Sequence, residues 1–251
     1  ATTTEKTTVV PPTKTGYNFG GYYTAENGSG AQVIDASGNI VGANNLFTTN
    51  KTLYAKWIAK TVTVIFDCNG GEGGGSQTFT YGQSGQNFST TCTKTGYTQL
   101  GWSDASTDTT SKWNVTSNVI DSWINSHYPS VTIYAIWSAK TVDVTFNCNG
   151  GEGGGSQTFT YDVIGQSFST TCTRTGYTLD GWAATSTATT ASWTPTNNVS
   201  NNWIDTNAPT KTIYAVWRIN TVTIKLNANG GSLASSHGDD YTLSGNKILR
   251  N

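Results

Sequence analysis

The 251-residue, 26.7 kDa chain has 12% charged residues, against about 25% in an average soluble domain, and a formal net charge of -1. That balance excludes the broad basic surface needed to hold a nucleic-acid backbone. Nine Trp, 12 Tyr and 8 Phe exclude a disordered chain and can fill several small cores, and no apolar run is long enough to cross a membrane as a helix.

The chain opens on Ala1 and a Thr-rich stretch, ATTTEKTTVVPP. It has no methionine and no signal peptide, which reads as a mature product or an excised fragment. Self-comparison then organises everything that follows. Residues 61–140 and 141–220 align without a gap at a period of 80, with 48 of the 80 positions identical. TVTVIFDCNGGEGGGSQTFTY (61–81) repeats as TVDVTFNCNGGEGGGSQTFTY (141–161), and TIYAIW (132–137) as TIYAVW (212–217). TKTGYNFGGY (13–22) matches 93–102, and TLYAKW (52–57) closes that copy. TVTIKLNANGG (221–231) opens another. Four segments are expected: a partial repeat at 1–60 lacking the opening strands, full repeats at 61–140 and 141–220, and a partial repeat at 221–251 with opening strands only.

Within a full repeat the elements read in order. Val62, Val64 and Phe66 alternate with Thr61, Thr63 and Asp67, the pattern of a half-buried strand. Asn69-Gly70 signals a tight turn. GEGGGS (71–76) offers no side chain to pack and predicts a mobile loop. QTFTY (77–81) returns as a strand, GYTQLGW (96–102) gives another and VTIYAIW (131–137) closes the sheet. In TSNVIDSWINSH (116–127), Val119 and Trp123 are four apart, as are Ile120 and Ile124, so they share a helical face. Ser117 or Asn118 is the expected cap and Pro129 the stop. The sibling segment has Asn198, Val199, Trp203 and Ile204, then Pro209. The linkers Ile58–Lys60, Ser138–Lys140 and Arg218–Asn220 are too short for free swivelling. The expected fold is β-rich α+β, with tandem modules, each a small twisted mixed sheet carrying one short helix, arranged as an elongated rod.

Cys68 and Cys92 lie 24 apart, as do Cys148 and Cys172. In the partial copies Pro12 stands for Cys92 and Ala228 for Cys68, so the two cysteines disappear together. Joint loss points to one disulfide per full repeat and an oxidising compartment. Four free thiols are the alternative. A metal site fits less well, because C-x₂-C spacing and clustered histidines are missing.

The run of V-x-V-x-F, NGG, TKTGY-x₃-GW and a closing YAxW resembles the Listeria–Bacteroides repeat, the internalin B-repeat type, over nearly the whole chain. The resemblance implies β-grasp-like modules in tandem within cell-surface or secreted prokaryotic proteins, acting as adhesive or spacer units without catalytic residues. It also implies structural roles. Gly96 and Gly176 give backbone freedom, Trp102, Trp182 and Tyr22 fill cores, and Trp57, Trp137 and Trp217 close the repeats. This chain differs from the family pattern in its longer repeat, its cysteine pair and its glycine insert.

No catalytic constellation, cofactor motif or metal set is expected. His127 has Asn207 as its repeat equivalent, and His237 sits with Asp239 and Asp240 in a polar turn. The GGEGGG loops lack the Lys-Ser/Thr of a phosphate-binding loop, and no G-x-S-x-G elbow occurs. An isopeptide bond would need a buried acid, and the repeated Glu72 and Glu152 lie in the glycine loop. Trp113 and Trp193 are the aromatic platforms that could stack on a glycan; packing of the helix onto the sheet is the competing role for the tryptophans outside the family core, Trp123 and Trp203 included. Asn27, Asn50, Asn87, Asn114 and Asn198 head N-x-S/T sequons. The leading functional expectation is a secreted filament or stalk subunit joined head to tail, 221–251 of one chain completing 1–60 of the next. A spacer-adhesin fragment and a glycan-binding module are the alternatives. The expected partners are further copies or a surface glycan or protein, with no nucleic acid and no membrane insertion.

Overall fold

The computed structural model describes residues 8–42, 49–225, 229–231, 240–244 and 247–250. The chain divides into two compact units, Ala1–Lys94 with Gln99–Ser138, and Thr95–Thr98 with Ala139–Asn251.

The first unit opens with β1 (Tyr17–Tyr23), β2 (Gln32–Ile34) and β3 (Tyr54–Ala59), an antiparallel sheet in the order β2-β1-β3. The chain continues through β4 (Thr61–Asp67), β5 (Glu72–Gly73), β6 (Gly75–Thr80), β7 (Cys92–Thr93), β8 (Tyr97–Ser103), α1 (Asp121–His127) and β9 (Ser130–Ala139). Four of these strands form a mixed sheet in the order β6-β4-β9-β8, and β5 pairs with β7 in a separate ribbon. β4 is antiparallel to β6 and parallel to β9, with Thr63 opposite Ser130 and Asp67 opposite Tyr134.

The second unit repeats the plan 80 residues on. Its elements are β10 (Thr141–Asn147), β11 (Glu152–Gly153), β12 (Gly155–Thr160), β13 (Cys172–Thr173), β14 (Tyr177–Ala183), α2 (Asn201–Asn207) and β15 (Thr210–Ile219). The sheet order is β12-β10-β15-β14, and β10 runs parallel to β15. β16 (Thr221–Lys225), β17 (Asp240–Ser244) and β18 (Lys247–Arg250) follow as an antiparallel sheet.

Alternation builds each core. Val62, Val64 and Phe66 are buried on one face of β4, and Trp102 is fully buried from β8. Phe66 meets the Trp102 ring edge-on at 4.9 Å and the Phe88 ring at 5.2 Å. Phe146, Trp182 and Phe168 make the same set in the second unit, at 4.8 and 5.1 Å. Ile124 and Ile204 bring the helices onto these cores with no exposure at all.

Three expectations change on contact with the structure. The glycine run is not a mobile loop. Glu72 pairs with Thr93 and Gly73 with Cys92, and β6 already begins at Gly75. At two of these glycines nothing larger fits: a Cβ on Gly71 would lie 2.6 Å from the Thr93 carbonyl, and one on Gly74 would lie 2.5 Å from that of Phe66. The helix also starts late. Asn118 bridges to Asn87, and the Val119 N–H donates to the Gln86 carbonyl, so 117–119 is tied up as extended chain. Ile120 is therefore the N-cap, exposed and without a side-chain cap, whereas Ser200 caps α2 by accepting from the Trp203 N–H. Finally, the linkers shrink to one residue each, Lys60, Lys140 and Asn220, because the strands run up to them on both sides.

Cys68 is bonded to Cys92 and Cys148 to Cys172. Each bond clamps a two-stranded ribbon, β5–β7 or β11–β13, that lies outside the main sheet. Loop closure across 24 residues stabilises by about 3 kcal/mol in the chain-entropy view. Replacing Cys148 and Cys172 together by Ala is expected to lower the unfolding free energy by about that amount, read by urea denaturation; reductant, which breaks both bonds, should cost each of the two full repeats about as much in the parent and nothing in a variant lacking all four cysteines.

Candidate functional site

Two places in the fold concentrate unusual side chains: a tryptophan cluster beneath each helix, and a glycine–tyrosine contact where one strand system gives way to the next.

In the tryptophan cluster Trp113 is held by its backbone. Its N–H and carbonyl exchange hydrogen bonds with Trp102 at 3.0 and 2.8 Å. Its half-buried ring stands edge-on to Trp123 at 5.8 Å, and Trp123 stacks on His127 at 4.1 Å. Trp193 meets Trp203 in the same way at 6.0 Å. These rings pack against the cores, and the indole N–H groups of Trp123 and Trp203 are buried without a hydrogen-bond partner. His127 is half-buried, with Nδ1 2.8 Å from the Trp123 carbonyl. Asn207 donates to the Trp203 carbonyl at 2.7 Å. Histidine and asparagine thus do one job, satisfying the carbonyl four residues back at the end of a short helix.

The glycine–tyrosine contact recurs in both units. In the first, the Lys60 N–H donates to the Gly16 carbonyl at 2.9 Å, and the Lys60 carbonyl accepts from the Tyr81 N–H at 2.9 Å. The Tyr81 ring then covers Gly16 so closely that an added Cβ would lie 2.2 Å from it. Tyr17 meets Tyr81 edge-on at 5.4 Å, and the Lys60 ammonium reaches Asn125 Oδ1 at 3.3 Å. In the second unit Lys140 ties Gly96 to Tyr161 with bonds of 2.8 and 2.9 Å. Tyr97 meets Tyr161 at 5.6 Å, and Lys140 pairs with Asp205 at 2.6 Å. The Asn220 N–H makes the third such bond, to the Gly176 carbonyl at 2.9 Å. There Gly176 is exposed, and Arg174 lies over the Tyr177 ring at 4.1 Å. Sequence reasoning assigned no role to Tyr81 and Tyr161. Their signal was present as a tyrosine 64 residues after each Gly-Tyr tyrosine.

Tyr97 donates its hydroxyl to the Asp162 carboxylate at 2.9 Å. That bond, then burial and the carboxylate's charge, raises the Tyr97 pKa above its ordinary value of 10.0.

The other sequence-level candidates are dispersed. Asn27, Asn50, Asn87, Asn114 and Asn198 are all exposed and lie on separate segments. Glu72 and Glu152 are exposed on the disulfide-clamped ribbons. His237 and Asp239 lie outside the described residues. Among the described residues no three His, Cys, Asp or Glu side chains converge, and no helix is long and apolar enough to cross a membrane.

Tandem β-rich modules with disulfide-clamped ribbons and one-residue linkers define a tandem-repeat protein. The chain belongs to the Listeria-Bacteroides repeat domain family, whose model matches residues 1–56, 63–135 and 143–216. Two proteins of Evansella cellulosilytica are similar to it. One, provisionally named a membrane protein, is 31% identical over 180 residues, covering 69% of this chain and 24% of that protein. The other, provisionally named a Gly-rich membrane protein, is 28% identical over 229 residues, covering 90% and 23%. The chain thus spans about a quarter of these relatives. No solved structure matches it.

Two predictions come from the glycine–tyrosine contact. Gly16→Ala should cost about 1–3 kcal/mol more in unfolding free energy than Gly85→Ala. Both glycines have φ near +75°, at +78° and +73°, but a Cβ on Gly85 meets open space. Adding Tyr81→Ala to Gly16→Ala should recover most of the difference. For Tyr97 the folded pKa lies above the unfolded one, so its contribution is complete below the ordinary tyrosine value and is lost as pH rises through the raised one. Ultraviolet titration should show Tyr97 ionising above its ordinary value, and Asp162→Asn should bring it back toward that value.

Proposed function

We propose that the chain is a structural segment of an extracellular or cell-surface protein of a prokaryote, a spacer built from β-grasp-like modules set in series as an extended stalk. The observation that carries this reading is the repeated tie at Lys60, Lys140 and Asn220: one residue between strands, each with its N–H on a Gly-Tyr glycine. Such a tie removes linker freedom, which serves a spacer and gives a catalyst nothing. Two disulfides support an oxidising compartment. Relatives provisionally named membrane proteins, about three and four times the length of this chain, are consistent with a surface-attached parent. The reading assigns no catalytic step.

Head-to-tail assembly is the second reading, favoured by the two partial repeats. β9 begins at Ser130 and pairs in parallel with β4 through Ser130–Tyr134. Its counterpart β3 begins only at Tyr54, the equivalent of Tyr134, and among the described residues it pairs with β1 alone. β16, the counterpart of β4, pairs with β17 and sits at a sheet edge. Each half offers what the other lacks. Strand addition between them would come from adjoining repeats in a longer chain, or from a second copy of this one.

Small-angle scattering at low concentration is expected to give a radius of gyration well above the about 18 Å of a compact chain of this length; a value near 18 Å would rule out the extended stalk. At high concentration, light scattering should show linear growth that is abolished by deleting 221–251. Growth that survives the deletion would remove strand addition while leaving the spacer reading intact.

A further inference from the structure

Beside the disulfide ribbon of the second unit lies a groove of about 560 Å³, within the range of about 300–1,000 Å³ typical of small-ligand sites. We propose that it binds a carboxylate-bearing saccharide, an activity separate from the spacer role.

The walls are preset. The Trp217 indole N–H donates to the Cys148 carbonyl at 2.8 Å, and a Cβ on Gly151 would lie 2.6 Å from the Trp217 ring, so the ring is fixed against the backbone. Cys172, bonded to Cys148, forms part of the lining and anchors β13 beneath it. Arg174 lies over the Tyr177 ring at 4.1 Å. A guanidinium stacked in this way keeps its in-plane N–H groups free to grip a carboxylate with two parallel bonds. Glu152 lines the same groove, and among the described residues neither Arg174 nor Glu152 takes part in an ion pair. Thr173 and Thr175 add hydroxyls.

This chemistry selects a ligand class. The lining mixes charges, hydroxyls and ring faces, which suits neither a purely apolar ligand nor a lipid tail. The lining has one guanidinium, enough for a single carboxylate but not for the several phosphates that a polyphosphate backbone presents. A sugar ring has an apolar C–H face for Tyr177 or Trp217 and a hydroxyl edge for Glu152 and the threonines. A carboxylate on that ring gives the unpaired guanidinium its partner.

The test is a calorimetric titration of the intact 251-residue chain with tetragalacturonate, its neutral methyl ester and tetraglutamate. Saturable binding of the acid is expected, weakened about tenfold or more by esterification and equally by Arg174→Ala. Arg218→Ala, which removes an exposed arginine paired with Asp180 outside the groove, should leave binding unchanged. Circular dichroism checks that both variants stay folded. Four results would each overturn the proposal: no saturable binding of the acid, equal binding of the ester, equal binding of tetraglutamate, or the same loss in Arg218→Ala as in Arg174→Ala.

Discussion

The parallel pairing of the first strand of each repeat with its last is the constraint on which the rest of the module hangs. Thr63 sits opposite Ser130, and Asp143 opposite Thr210, 67 residues along the chain in each case. A parallel pair cannot be closed by a hairpin, so everything between the two strands becomes the crossover. That crossover contains the returning strand, the disulfide ribbon, the Gly-Trp strand and the helix. Its apolar residues, Phe79, Phe88, Trp102, Val119 and Ile124, gather on the buried face of the pair. In the first segment, where among the described residues the closing strand β3 pairs with β1 alone, that strand begins only at Tyr54, the equivalent of Tyr134.

Closing so long a crossover is entropically costly, and the fold reduces that cost in two ways. The disulfide ties the ribbon back on itself. The glycines let backbone approach backbone where a side chain would hold the layers apart, as at Gly71 and Gly74. Each full repeat is small for an independent core, and these clamps supply what its buried area alone does not.

Much of this was legible from residue order. The period of 80, the alternation Val62–Val64–Phe66 and the closing YAxW lead directly to repeats and strands, because burial on one face of a sheet leaves a period of two. The glycine run misled because glycine has two opposite meanings. It marks freedom where space is open and extreme closeness where it is not, and only the neighbouring atoms tell them apart. Helix periodicity likewise failed to separate helix from extended chain, and of the four residues it grouped Ile120 is exposed. Val119 is buried, yet it lies in extended chain paired with Gln86. Tyr81 and Tyr161 escaped because their contacts are 65 residues away in sequence, at Gly16 and Gly96. Arg174 escaped because it does not stand out without the Tyr177 and Trp217 rings beside it.

The same parallel pair has a mechanical meaning. The chain enters a repeat at the start of its opening strand and leaves at the end of its closing strand, and those strands lie side by side, pointing the same way. Tension along the chain therefore slides one strand lengthwise past the other. All the hydrogen bonds between them are loaded together, and none can be peeled away ahead of the rest. A repeat that meets force in shear resists it with the sum of its bonds, and a one-residue connection passes the load to the next repeat without slack.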